Sequence, residues 1–168
     1  INRVGCAPER VMLTFREFRL AYVIANIYVK PSRARRVSAA VFRSSAMSGL
    51  FDLSGKRALV TGSGQGIGLA IAEGLAAHGA SIVLNGRSAG PVEEAVVRLK
   101  AAGRDPAVAL FDVTDQTEVA KGVDGIEAGL GPIDILVNNA GMQFRTALED
   151  FPADKWQQLL QTNISSVF

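Results

Sequence analysis

Residues 59–87, LVTGSGQGIGLAIAEGLAAHGASIVLNGR, constrain this chain more than any other stretch. A short apolar run ends in glycines at alternate positions, Gly62, Gly64, Gly66 and Gly68. An apolar helical segment then runs to Gly79, and a second apolar run occupies 81–85. Strand, glycine turn, helix, strand is a parallel βαβ unit, whose crossover is right-handed. A glycine-dense turn feeding a helix N-terminus presents unpaired N–H groups and positive dipole to an anion.

The alternation continues. The spacing predicts strands at 57–61, 81–85, 107–113 and 133–141 and helices at 66–79, 91–103, 117–131 and 152–168. The first helix places Ile67, Ala70, Ile71, Gly74 and Leu75 at the spacing of one apolar face and is expected to stop at Gly79. The second has Pro91 at its first position and Gly103 just past its end. Nearly all-apolar strands imply a sheet covered on both faces. The fold class is therefore α/β, a Rossmann-like doubly wound parallel sheet, truncated after its fourth strand and the following helix. Its expected spatial order is third, second, first, fourth. The run IDILVNN is too apolar for an edge, so a further strand should cover it.

Three phosphate-binding patterns test the turn. A P-loop requires Gly-Lys-Ser/Thr, and this turn has no lysine. Strict G-x-G-x-x-G fails because Ile67 or Leu69 stands where the third glycine belongs. What is present is T-G-x-x-x-G-x-G over Thr61–Gly68. Gly62 permits the tight turn, Gly66 admits a pyrophosphate to the backbone, and Gly68 allows close helix packing. A glycine-rich turn with no ligand is the alternative. About 20 residues on, where such a site reads the adenosine ribose, stands Asn85-Gly86-Arg87 with no acid. A guanidinium there suits a 2′-phosphate, which predicts NADP over NAD, with NAD still possible. A solvent-facing charge is the other reading of Arg87.

Charge divides the chain. Residues 1–46 hold nine basic and two acidic residues, +7; residues 47–168 hold nine and fourteen, −5; the whole carries +2. The first segment reads as a basic N-terminal arm, disordered, either transit-peptide-like or translated upstream of MSGLFDLSGK at 47–56. The longest apolar run, LAYVIANIYV at 20–29, is about half the ~20 residues of a membrane span. RARR at 33–36 has no interleaved aromatics, so no nucleic-acid partner and no membrane are expected. The lone Cys6 allows no intrachain disulfide, consistent with a cytoplasmic protein. His78, the only histidine, has no partners at metal-ligand spacing and reads as a surface residue, so no metal is expected. Trp156, near Leu159 and Leu160, reads as core or interface.

Residues 50–168 resemble the short-chain dehydrogenase/reductase family. The resemblance rests on Thr61-Gly62-x-x-x-Gly66-Ile67-Gly68, Asp112-Val113, Asn138-Asn139-Ala140-Gly141 and Asn163 in the following helix. It implies a cofactor site of Gly62, Ser63, Gln65, Gly66, Ile67, Gly68, Arg87, Asp112, Val113, Asn139, Ala140 and Gly141. Asp112 and Val113 would meet the adenine, although Asp112 also suits a helix N-cap. Asn139–Gly141 would pass beside the nicotinamide ribose. Asn163 resembles the asparagine of the family's catalytic Asn-Ser-Tyr-Lys tetrad, which holds a relay water through its carbonyl.

The tetrad's serine and Tyr-x-x-x-Lys are missing from these 168 residues; Tyr22 and Tyr28 lie in the arm, without a lysine four residues on. The resemblance thus implies that 47–168 is the N-terminal cofactor-binding part of an oxidoreductase, and that this fragment is inactive. A non-catalytic dinucleotide-binding module and a 3-oxoacyl reductase-like enzyme are the alternatives. Within the family, SGLFDLSGK and NNAGMQFRTALEDFP are most similar to the branch interconverting gluconate and 5-ketogluconate. That implies a sugar-acid substrate and, at full length, a homo-oligomer. Arg145, after Gln143, could meet a substrate carboxylate or pair with Glu149 or Asp150 on the surface.

Overall fold

The computed structural model describes residues 26–29, 49 and 51–168. Cys6, Tyr22 and the run at 33–36 lie outside them. Strands β1 (Asn26–Val29), β2 (Arg57–Val60), β3 (Ser81–Gly86), β4 (Ala107–Leu110) and β5 (Ile135–Asn138) form one sheet in the order β1-β5-β2-β3-β4. β5, β2, β3 and β4 run parallel, in the order expected from the sequence. Helices α1 (Gly66–Ala77), α2 (Ala89–Ala101), α3 (Gln116–Leu130) and α4 (Ala153–Asn163) follow β2, β3, β4 and β5 in turn.

The two-residue period of each strand sends alternate side chains to opposite faces. Ala58, Val60, Ile82, Leu84, Ile135 and Val137 meet Leu69, Ala72 and Ala76 of α1 and Val92, Ala95 and Leu99 of α2. On the other face Leu59, Val83 and Phe111 pack with Ile126 of α3. Helices on both faces make the sheet doubly wound, and all parallel strands point their C-terminal ends the same way.

Two expectations are corrected. The buried side of α1 is Gly68, Leu69, Ala72 and Ala76, while Ile67 is half exposed at the helix start and Ile71 and Leu75 flank the core. GIGLAIAEGLAA is apolar on nearly every side, so periodicity does not select a face; the glycine turn that launches the helix does. Trp156 is 53% exposed, edge-on to Phe151, and belongs to no core cluster, which removes the core reading and leaves the interface one open. α2 starts at Ala89, which makes Pro91 its third residue, and Gly103 follows its C-cap at φ 74°. His78 caps α1, exposed as expected.

Four residues of the basic arm form β1, antiparallel to β5, with Asn26 opposite Asn138 and Val29 opposite Ile135. β5 therefore has hydrogen-bonding neighbours on both sides, which answers the need for cover that its apolar run creates.

At the opposite end of β5, Asp134 accepts the Arg57 N–H at 3.0 Å and the Lys56 ammonium at 3.2 Å. The Arg57 hydrogen bond, with burial opposing and Lys56 reinforcing, holds the Asp134 carboxyl below its ordinary value. A lowered folded-state pKa stabilises the fold above the ordinary carboxylate value, about 4, and that contribution disappears as pH falls through the folded value. Melting temperature should thus fall more steeply below about pH 4 in the native chain than in Asp134→Asn. A second expectation concerns β1. Deleting residues 1–46 should raise the aggregated fraction in size-exclusion chromatography with light scattering, because the outer backbone groups of β5 lose their partners.

Candidate cofactor site

The C-terminal ends of the parallel strands surround a cavity of about 660 Å³. Its architecture begins at Thr61, whose Oγ accepts the N–H groups of Asn139 and Ala140, both at 3.0 Å, and donates to the Val137 carbonyl at 3.3 Å. In return, Asn139 Nδ2 donates to the carbonyls of Thr61 (2.9 Å) and Gly62 (3.1 Å). The turn after β2 and the turn after β5 are thus one unit. Gly62 has φ +61°, and a Cβ on it would lie 2.9 Å from Ala140 Cα. A Cβ on Gly68 would strike the Asn139 amide and the Gly62 carbonyl, so this glycine is needed for packing against the two turns rather than against the sheet.

Ser63 is fully buried and does not line the cavity. Its N–H donates to Asn85 O (2.9 Å) and its Oγ accepts the Asn85 N–H (3.0 Å), so it braces the turn from behind. Asn85, 1% exposed, completes the brace. Its Oδ1 accepts the Gly62 N–H at 3.3 Å, and its Nδ2 donates to Ala109 O at 3.0 Å and Phe111 O at 3.2 Å. Sequence reasoning noted Asn85 only for not being an acid. Its buried position within SIVLN was the available signal, since a buried amide must find partners.

Gln65, Gly66, Ile67, Gly68, Arg87, Asp112, Val113, Asn139, Ala140 and Gly141 all line the cavity with Gly62, as does Asn163. Gly66 has φ +59° and open space where a Cβ would be. α1 begins beneath it with no side-chain cap and no acid in its first turn, and α2, whose Ser88 and Pro91 also line the cavity, begins the same way. Neither helix start has a side-chain acceptor for its N–H groups. By contrast, Asp115 caps α3 by accepting from Thr117 N and Glu118 N. Asp112 is thus not the N-cap. Its Oδ1 instead accepts from the Thr114 N–H and hydroxyl, each at 2.8 Å, and its Oδ2 lies 3.7 Å from Arg87 Nη1. Partial burial pushes this carboxyl up, but the Thr114 hydrogen bonds and the Arg87 charge outweigh it and hold it below the ordinary value.

Asn163 ends α4 with both polar atoms engaged. Oδ1 accepts the Met142 N–H (2.9 Å), and Nδ2 donates to Met142 O (3.0 Å). Its side chain fixes the loop after Gly141. Arg145 donates to Gln143 Oε1 at 3.3 Å, and among the described residues it forms no ion pair with Glu149 or Asp150. Gln143 lines the cavity; Arg145 does not.

A doubly wound sheet with a glycine turn and uncapped helix starts at its C-terminal edge defines a nucleotide-binding α/β protein. Residues 56–168 match the family model described as short chain dehydrogenase, and the chain belongs to that family. It is 53% identical over 119 residues to gluconate 5-dehydrogenase of Gluconobacter oxydans, covering 71% of this chain and 46% of that protein. Identity to 5-keto-D-gluconate 5-reductase of Escherichia coli is 43% over 122 residues, 73% of this chain and 48% of the relative. Among solved structures, a gluconate 5-dehydrogenase from Burkholderia cenocepacia in complex with NADP and tartrate superposes with a TM-score of 0.66 at 46% identity, over 70% of this chain and 46% of that one. The chain spans about half the length of the relatives it matches.

Asn85→Asp should destabilise the fold by about 2–4 kcal/mol, because the half-buried Ala109 and buried Phe111 carbonyls lose their donor and a buried carboxylate takes its place. Urea unfolding monitored by circular dichroism measures this, and a change under 0.5 kcal/mol would show that the brace carries little.

Proposed function

We propose that this chain is the nucleotide-holding part of an NADP(H)-dependent oxidoreductase that interconverts gluconate and 5-ketogluconate, with NAD(H) admitted less well. One observation carries the nucleotide reading: a single cavity gathers an open glycine turn, two uncapped helix starts, a guanidinium and the Asn139–Gly141 turn. The residues fit a dinucleotide. Gly66 leaves room for a pyrophosphate at the start of α1, Arg87 would meet a 2′-phosphate, Asp112 and Val113 would border the adenine, and Ala140 and Gly141 the nicotinamide ribose. The sugar-acid substrate is supported by the names of the two relatives. We assign its carboxylate to Arg145, which Gln143 holds beside the cavity and whose planar fork matches a carboxylate.

Hydride exchange is the chemistry that a nicotinamide nucleotide supplies when bound. This chain's residues would hold and orient it. A carbonyl reduced by hydride also needs a proton, and Asn163 is no source, being an amide whose side chain is engaged with Met142. Residues 47–168 contain no tyrosine. We therefore expect the 168-residue chain to bind nucleotide without turning over gluconate, and assign Asn163 to positioning.

NADP⁺ should raise the melting temperature of the chain, and NAD⁺ at equal concentration should raise it less. Arg87→Ala should weaken NADP⁺ binding about tenfold while changing NAD⁺ less than about twofold, the loss expected for a charge-assisted phosphate contact. Gly66→Val should weaken both nucleotides, because it strains a positive φ and fills the open space. No shift with either nucleotide would overturn the proposal.

A further inference from the structure

The adenosine end of the cavity contains a contact that works against the cation expected to read the 2′-phosphate. Arg87 has a long, largely exposed stem, its side chain 71% accessible, and is free to swing. Asp112 is not. Two hydrogen bonds from Thr114 lock its Oδ1, Glu118 Oε2 accepts its backbone N–H at 2.8 Å, and the preceding Phe111 carbonyl is held by Asn85. The remaining oxygen, Oδ2, is aimed at the Arg87 guanidinium. The acid is the fixed partner and the guanidinium the movable one.

We propose that Asp112 is a positioning residue that sets nucleotide selectivity through Arg87: its immobile carboxylate competes with a 2′-phosphate for the guanidinium and so narrows the preference for NADP over NAD. This rests on the nucleotide-binding reading above. A phosphomonoester dianion that recruits Arg87 must draw it from Asp112 or share it, and must approach a second fixed negative charge. A nucleotide with a bare 2′-hydroxyl meets neither cost. The net effect is small because the pair is solvated, in the range of exposed ion pairs. Selectivity reads it more clearly than affinity does, since any contact of Asp112 with the shared adenine cancels in the ratio.

The test is calorimetric titration of the 168-residue chain with NADP⁺ and with NAD⁺, in the native form and as Asp112→Asn, Arg87→Ala and the double variant. Asparagine keeps an Oδ1 for the Thr114 N–H, so the turn survives; an unfolding transition for each variant verifies folding, and Asp112→Ser takes its place should Asp112→Asn not fold. The ratio of the NAD⁺ to the NADP⁺ dissociation constant should rise about three- to fivefold in Asp112→Asn and stay within about 1.5-fold when the same change is made in Arg87→Ala. A ratio that is unmoved while both nucleotides bind would overturn this inference alone, leaving Asp112 a wall of the adenine site. A ratio that falls would overturn it too, with Asp112 steering Arg87 toward the phosphate. Failure of the native chain to bind either nucleotide would remove the nucleotide-binding reading and this inference with it.

Discussion

The hydroxyl of Thr61 takes two backbone N–H groups from the turn after β5 and gives its own proton to the Val137 carbonyl within β5. With the return bonds from Asn139 to Thr61 and Gly62, five hydrogen bonds join segments 76 to 79 residues apart in sequence. The glycine turn has few side chains with which to hold itself, so its shape is borrowed from β5. This explains why Gly62 and Gly68 tolerate no Cβ: across the junction Gly62 faces Ala140 and Gly68 faces the Asn139 amide, whereas Gly66 faces open space. Loss of the junction would leave the cavity without its floor even if every strand stayed paired.

A second brace runs the other way across the sheet. Asn85 ties the glycine turn to the end of β4 through Gly62, Ala109 and Phe111, and Ser63 doubles it. The glycine turn after β2 and the ends of β3, β4 and β5, which all carry cavity residues, are therefore mutually positioned by side-chain amides and hydroxyls rather than by the apolar core beneath them. Buried polar networks of this kind rigidify a site when every member is satisfied. Here none of the buried side-chain polar atoms among the described residues lacks a partner.

These braces also mark where the sequence could be read and where it could not. Strand order, helix positions and the glycine turn were legible because each depends on local pattern: apolar runs, glycine stops, helical spacing. Ser63 was assigned to the ligand because it sits inside the motif, but spacing does not say which side of a turn a side chain occupies. The buried face of α1 was missed because an all-apolar helix has no dominant stripe, leaving orientation to the Thr61–Asn139 junction 60 or more residues away in sequence. β1 was missed because a basic flank masked four residues whose role is defined by the strand they pair with. Long-range hydrogen bonding decided each of these, and periodicity is blind to it.

The helix starts give a last step. Aligned peptide dipoles leave positive potential at every helix N-terminus, and a protein with nothing to bind there normally neutralises it with a capping oxygen or an early acid. α3 has Asp115 and Glu118, and α4 has Asp154. α1 and α2, the two helices that open onto the cavity, have neither a side-chain cap nor a first-turn acid. The same chain thus compensates the dipole where a helix starts away from the cavity and leaves it uncompensated twice at one place, beside the Arg87 guanidinium. Two uncapped starts and a cation around one opening favour a ligand with more than one anionic group, spread over several ångströms. A pyrophosphate with a separate 2′-phosphate has that distribution; a single carboxylate or inorganic phosphate does not. Asp112 is the one acid set among these positive groups, and its fixed place beside Arg87 is what moderates how strongly they discriminate.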